Sequence, residues 1–211
     1  AAERLVSLYW KPVYCLIRQS WKKSNEDAKD LTQEFFLQVL LDGKLIERYA
    51  PERGSFRRFL KAAVVNFLRD DAKTAGREKR GGGRELLRLP EGGGDLVRLA
   101  PRVDDLSPDQ VFELSWRKEV MARSLQRLED RLRSQDKGDA FEIFRRYELA
   151  SADDSATYRA ISKATDLSVD DVKNRLTLAR KEFREAVIDV VSEYVESEAD
   201  LQDELTAILG R

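Results

Sequence analysis

The chain has 211 residues, of which 42% are hydrophobic and 36% are charged, and its formal net charge is −1. It contains no histidine, which excludes Ser-His and Cys-His nucleophiles and most zinc sites. Its single cysteine, Cys15, excludes an internal disulfide and favours a reducing compartment.

Other classes of protein are also disfavoured. No apolar run approaches the roughly 20 residues of a membrane span, and no signal-peptide pattern opens the chain. No P-loop, GxGxxG or EF-hand spacing is present. We therefore expect a cytoplasmic protein with no membrane segment, no cofactor, no metal site and no catalytic activity. Because the chain opens without Met inside a helical pattern, we also expect that native residues precede it.

The first part of the chain is predicted to be helical, because apolar residues recur at helical spacing. Ser24 with Asp27 three residues later is typical of a capping box, so a helix begins after Ser24. Ser55 is predicted to cap the helix that follows it. Helices are expected over residues 3–21, 25–41 and 56–75.

From residue 81 to 107 the helical pattern gives way to Gly, Pro, Arg and Asp, which predicts a flexible linker. Ser107, Pro108 and Gln110 then begin a new helix, with an N-cap, a proline at the first helical position and a capping box. Further helices are expected over residues 108–133, 140–149, 155–164 and 169–195. The prediction is an all-α chain with a domain at 1–80, a linker at 81–107, a second domain at 108–195 and an acidic amphipathic tail at 196–211.

The last two of these helices have the spacing of a helix-turn-helix, with a turn at 165–167. Five apolar residues are expected to pack between them: Ile161, Ala164, Leu167, Val172 and Leu176. An ordinary helical hairpin with a solvated basic face is the alternative. The residues expected to contact DNA are Ser168, Lys173, Asn174, Arg175, Thr177, Arg180 and Lys181.

Positive charge is concentrated between residues 53 and 84, where ten Lys and Arg face three acids, a net charge of +7. Basic and aromatic residues together suit single-stranded nucleic acid, since cations follow the backbone and apolar surfaces hold bases. The alternative is that the phenylalanines, Phe67 included, are core residues and the charges a solvated face. The residues expected to contact DNA here are Arg53, Ser55, Phe56, Arg57, Arg58, Lys61, Asn66, Arg69 and Lys73.

The chain resembles the sigma factors of the sigma-70 family, specifically the two-domain group called extracytoplasmic-function (ECF) sigma factors. Five segments, which cover nearly the whole chain in the expected order, carry the resemblance. They are "LYWKPVYCLIR" (8–18), "EDAKDLTQEFFLQVL" (26–40), "PERGSFRRFLKAAVVNFLRDDAKTAGREKRGGG" (51–83), "LSPDQVFELSWR" (106–117) and "YRAISKATDLSVDDVKNRLTLARKEFREAV" (158–187).

The resemblance implies roles for particular residues. The loop at 51–56 would capture a flipped base of the downstream promoter element. Asn66 and Asp70 match the family's Asn-x3-Asp, and Lys73 stands where an Arg is usual, so a phosphate contact is expected there. The helix at 169–186 would read the upstream element. The surface that docks on core polymerase would be formed by Asp30, Gln33, Glu34 and Phe36.

The partners implied are core RNA polymerase, through its clamp coiled coil and flap, and promoter DNA, both double-stranded and as a melted strand. An anti-sigma factor is a further candidate partner. The linker would thread the polymerase channels. The main alternative is a stand-alone helix-turn-helix transcriptional regulator, which would need neither the docking helix nor the base-capture loop. A small carboxylate-based enzyme and an RNA-binding module are the remaining alternatives.

The C-terminal tail is acidic, with seven acids and no Lys or Arg between Asp189 and Glu204. Leu201, Leu205, Ile208 and Leu209 lie at helical spacing, which predicts a short amphipathic helix. One hypothesis is that this helix docks on a basic DNA-binding surface until polymerase binds. The alternative is that it completes the core of the second domain.

Overall fold

The computed structural model describes residues 2–42, 47–50, 54–75, 106–150, 157–195 and 197–210. Within these ranges the chain forms eight α-helices and no strand, which confirms the all-α fold class. Most of the predicted linker, residues 81–105, lies outside the described ranges. The helices are α1 (Ala2–Ser20), α2 (Asn25–Asp42), α3 (Phe56–Ala75), α4 (Pro108–Ser134), α5 (Gly138–Glu148), α6 (Tyr158–Thr165), α7 (Val169–Ser192) and α8 (Glu198–Leu209).

The predicted helix starts are confirmed where a capping side chain marks them. The Ser24 hydroxyl accepts a hydrogen bond from the Asp27 amide at 3.1 Å. Ser107 and Gln110 form the expected reciprocal capping box, with bonds of 3.3 and 2.8 Å. Helix α6 begins at Tyr158, later than the predicted residue 155, because Thr157 is its N-cap.

The chain divides into two compact units, and their bounds differ from the predicted domains. The first unit comprises Ala1–Glu119 and Tyr194–Arg211, and the second comprises Val120–Glu193. The start of α4 belongs to the first unit because Tyr9 stacks on Phe112, with ring centroids 6.3 Å apart. The tail belongs there too, since Tyr194 contacts Tyr9 edge to face at 5.9 Å. The tail therefore does not complete the core of the second unit.

The core of the first unit is built around Tyr9, which is fully buried. Besides the two contacts above, its ring lies 5.7 Å from that of Phe56 at the start of α3. Burial raises the pKa of the Tyr9 phenol well above its ordinary value. Tyr9 thus joins helices α1, α3 and α4 and the segment that precedes α8.

The second unit packs α4, α5, α6 and α7 around an apolar core. That core includes Leu128, Leu132, Phe141, Phe144, Ile161, Val172 and Leu176. The predicted turn between α6 and α7 is confirmed, and Asp166 ends α6 in the left-handed region with φ 54°. Asp tolerates this region better than most residues because its short side chain bonds locally. Contrary to the prediction, Ala164 is exposed; it lies one turn after the buried Ile161, and both residues line an open pocket at the surface.

Candidate nucleic-acid surfaces

Helix α3 presents an exposed polar face. Arg58, Ala62, Asn66 and Arg69 are exposed, and their spacing of three to four residues aligns them along the helix. They line an open groove of about 740 Å³. Just before the helix, Gly54 has φ 121°, a backbone conformation that strains any L-residue. Three predicted DNA contacts therefore lie together on one accessible surface, which we call the α3 groove.

Two other predicted DNA contacts, Arg57 and Lys61, are engaged inside the protein. Arg57 is only 10% exposed and forms an ion pair with Glu113 of α4. Lys61 is 14% exposed, and its ammonium lies 2.7 Å from carboxylate oxygens of both Asp109 and Glu113. These two cations were predicted to face DNA. In the structure they form ion pairs with acids of α4 instead.

Arg57 is further enclosed by an aromatic ring and by the tail. Its guanidinium lies 3.9 Å from the centre of the Trp116 ring, a cation–π contact. Its Nε lies 3.5 Å from Glu204 of α8, which is close enough for an ion pair. Yet this buried Nε has no hydrogen-bond partner. The contact between α8 and α3 is therefore electrostatic and poorly aligned, unlike the close contact with Glu113.

Glu204 is an unusual member of this cluster because its side chain is only 2% exposed. Desolvation raises its pKa to about 7, and it outweighs the lowering by the Arg57 guanidinium and by the bond from the Tyr194 hydroxyl. That bond is 3.3 Å long. Glu113 and Asp200 raise this pKa further through like charge. A carboxyl with such a pKa is partly protonated at neutral pH, so its hold on Arg57 is weak.

The phenylalanines of α3 pack with other rings. Phe56 lies 5.2 Å from Tyr49 and 6.1 Å from Phe59, and all three are half-buried. Phe67 contacts Phe35 edge to face at 5.6 Å. These rings therefore pack as core residues, which was the alternative to base stacking. The ring of Phe56 is engaged by its neighbours and is not free to stack on a base.

Three other predicted DNA contacts remain. Ser55 directly precedes α3 and is half-buried. Arg53 lies outside the described residues, and Lys73 lies in α3 at a position whose side chain is not among those described.

Helix α7 carries the second candidate surface. Five polar residues of its first half are exposed and share one face of the helix: Lys173, Asn174, Thr177, Arg180 and Lys181. The opposite face holds Val172, Leu176 and Ala179, which are buried in the core. The packing thus separates a basic face from an apolar one, as the helix-turn-helix prediction requires.

Several cations of α7 are already paired. Arg175 is half-buried and forms an ion pair with Asp139 of α5. Arg180 lies 2.6 Å from Glu148, and its guanidinium is 5.4 Å from the centre of the Tyr147 ring. Lys173 pairs with Asp170 at 3.1 Å, whereas Lys181, 73% exposed, has only a 3.9 Å contact with Glu185. A DNA phosphate that binds here would have to replace these carboxylates. The competition would be weakest at Lys181.

Ser168 holds a structural position. Its hydroxyl accepts a hydrogen bond from the Asp171 amide at 3.0 Å and donates one to the Asp171 carboxylate at 2.6 Å. The hydrogen bond that the Ser168 hydroxyl donates to the carboxylate lowers the pKa of Asp171. Ser168 is therefore the N-cap of α7, and a phosphate contact would have to share a hydroxyl already used twice.

The predicted polymerase-docking residues of α2 divide between surface and core. Asp30 is exposed, and Gln33 and Glu34 are half-buried. Phe36 is buried and stacks on Trp10, with ring centroids 5.9 Å apart. Phe36 is thus a core residue rather than a docking contact, because it shares the buried side of α2 with Thr32.

Sequence reasoning missed the residues that surround Arg57 and Lys61, namely Asp109, Glu113, Trp116 and Glu204. A signal was present, since Arg57 lies on the same stripe of α3 as the buried Leu60, Val64 and Leu68. In the described part of the chain, no group of three or more His, Cys, Asp or Glu could hold a metal ion, and no helix is long and apolar enough to cross a membrane. Comparison with protein-family models, curated proteins and solved structures finds no match to the chain.

Proposed function

We propose that this chain is a promoter-specificity subunit of RNA polymerase, a sigma factor of the ECF type. It would bind core RNA polymerase in the cytoplasm, recognise a two-part promoter and promote melting of the downstream part. It would contribute no catalytic step of its own. The proposal rests on the sequence resemblance, and one structural observation carries it further: each compact unit presents an exposed helix face that suits nucleic acid.

The face on α7 suits duplex DNA. It follows a tight turn after α6 and carries an amide and a hydroxyl among its cations, which are the groups that contact base edges and phosphates in a major groove. Its apolar side is buried, so the helix is held firmly enough to present them. This face would read the upstream promoter element.

The α3 groove suits a single strand. Arg58 and Arg69 would follow the phosphate backbone, and the exposed Asn66 amide between them can both donate to and accept from a base edge. The groove is open rather than enclosed, so an extended strand can enter from the side. This surface would take the melted strand of the downstream element.

A stand-alone helix-turn-helix regulator is the second candidate, because the capped turn and basic face of α7 lie wholly within the second unit. The two functions differ in their need for core polymerase. We would add the chain to core polymerase and measure transcripts from a supercoiled plasmid library. Promoter-selective transcripts that need both components support the sigma function, whereas tight duplex binding without polymerase and no transcripts support the regulator.

We expect Asn66→Ala to weaken promoter opening by about 1–3 kcal/mol without changing the affinity for core polymerase. Asn66 is exposed, so its loss costs a contact to DNA rather than a packed side chain. The measurement is open-complex formation on a promoter found in the library. Gln126→Ala, which removes an exposed amide from α4, is the control and should have no effect. A loss of stability or of core affinity on Asn66→Ala would show that the residue is structural.

We expect Arg180→Ala to weaken promoter binding by the holoenzyme, by about 1–3 kcal/mol if the guanidinium contacts a base. A phosphate contact would give a smaller loss and a shallower salt dependence. Binding is measured on promoter DNA over a range of salt concentrations. Arg133→Ala is a matched control, since Arg133 is 64% exposed and lies on α4. Equal binding by the two variants would place the DNA-contacting surface elsewhere.

A further inference from the structure

Helix α8 and the start of α4 bring carboxylates to the basic helix α3. The groove is lined on one side by cations and the Asn66 amide, and on the other by acids and Ala207 of the tail. The cations in its lining are Arg57, Arg58, Lys61 and Arg69, and the carboxylates are Asp109 and Glu113. A phosphate that enters would meet attraction from one wall and repulsion from the other. In this arrangement the chain's own carboxylates weaken the binding of nucleic acid to the groove.

We infer that the first half of α4 and helix α8 form an intramolecular acidic cover on α3. The acidic cover consists of the carboxylates of Asp109, Glu113 and Glu204. Nucleic acid reaches Arg57 and Lys61 only when this cover is displaced. The inference rests on the proposed function in one respect, namely that α3 is a nucleic-acid surface.

The ion pairs show how the cover acts on each cation. Lys61 is held by two carboxylates at 2.7 Å each, and Arg57 lies between Glu113 and Glu204. A phosphate can take over such a cation only by replacing a carboxylate that is already paired with it. The cover therefore acts as a competitor of the same charge and hydrogen-bonding type as the ligand.

Two of the three carboxylates hold their cations weakly. Asp109 is 70% exposed, and an ion pair with such a partner contributes little in water. Glu204 is buried but poorly aligned with Arg57, and at neutral pH it is partly protonated. Only Glu113 contacts both cations. Glu113 is thus the residue on which the cover depends most.

The test measures the binding of a fluorescein-labelled single-stranded 20-mer to the full chain, without polymerase, by fluorescence anisotropy. We expect Glu113→Gln to bind roughly fivefold more tightly than the wild type, with a salt slope steeper by about 0.7 for each released cation. Asp203→Asn is the matched control, because Asp203 is the exposed neighbour of Glu204 and its loss changes the net charge equally. It should tighten binding much less.

A double-mutant cycle with Lys61→Ala makes the test specific. In the wild type Lys61 is covered, so Lys61→Ala should leave the affinity almost unchanged. In the Glu113→Gln background the same substitution should weaken binding several-fold. If Glu113→Gln fails to fold, Glu113→Asp replaces it in the cycle, since the shorter side chain keeps a carboxylate but draws it away from both cations.

Equal tightening by Glu113→Gln and Asp203→Asn, or an equal effect of Lys61→Ala in both backgrounds, would overturn the acidic cover. The proposed function is scored separately by core-dependent transcription with the wild-type chain. If transcripts are seen and the double-mutant cycle is additive, the acidic cover is rejected and the sigma function stands. A non-additive cycle without transcription rejects the sigma function and leaves the cover standing.

Discussion

Replacing Trp116 by alanine is expected to lower the free energy of unfolding of the first unit by about 3–5 kcal/mol. The Trp116 side chain is fully buried, and the Arg57 guanidinium lies against its ring. Its removal leaves a large cavity and takes away the cation–π contact of a buried charge. The loss would be felt in the first unit, although the predicted domain boundary at residue 107 assigns Trp116 to the second.

Tryptophan fluorescence reports on this unit alone, because all three tryptophans, Trp10, Trp21 and Trp116, belong to it. Denaturant unfolding of the variant can still be followed through the two that remain. Trp21→Ala is the control, and we expect a smaller loss because Trp21 is half-buried and directly follows α1. If Trp116→Ala leaves the transition seen by Trp10 and Trp21 unchanged, the start of α4 does not stabilise the first unit.

The stability of the first unit is expected to fall as the pH rises towards 7, through the titration of Glu204. Its pKa is about 7 in the folded chain, against an ordinary value of 4.5. Between these values the folded state holds a proton that the unfolded state has lost, so the group's contribution is complete below pH 4.5 and disappears as the pH passes 7. The expected change is about 3 kcal/mol, on the scale of about 1.4 kcal/mol for each pH unit.

Glu204→Gln isolates this effect, because the amide resembles the protonated carboxyl and does not titrate. We expect the variant and the wild type to be similarly stable near pH 5, and the variant to be more stable at pH 8. The measurement is denaturant unfolding, followed by tryptophan fluorescence, across that pH range. Asp203→Asn should show no such pH-dependent difference. A difference between wild type and Glu204→Gln that is the same at both pH values would contradict the assignment.

Much of the fold could be predicted from the sequence because the signals for it are local. Helix starts depend on capping residues a few positions apart, and Ser24, Ser107 and Ser168 all cap as expected. The division into two units was harder to predict from the sequence. Helix α4 runs unbroken from Pro108 to Ser134, so no local signal shows that its first half packs with the first unit.

The candidate site was only partly predictable, because tertiary contacts decide which charges remain exposed. Residue type identified Asn66 as a candidate, and the structure exposes it in the α3 groove. Residue type also suggested Arg57, which is buried under Trp116. The burial of Glu204 follows the same logic, since it lies one turn before the buried Ile208 of α8. A charge on an apolar stripe is therefore better predicted as a paired core residue than as a ligand contact.

The most direct test of the sigma function is the reactivity of promoter thymines to permanganate, which oxidises unpaired thymines. The template is a promoter identified in the transcription library, mixed with core polymerase, the chain, or both. Thymines in the downstream element should become reactive only when both are present, and less so with Asn66→Ala. Duplex binding by the chain alone, with thymines that remain unreactive when core polymerase is added, would contradict the sigma function and favour the stand-alone regulator.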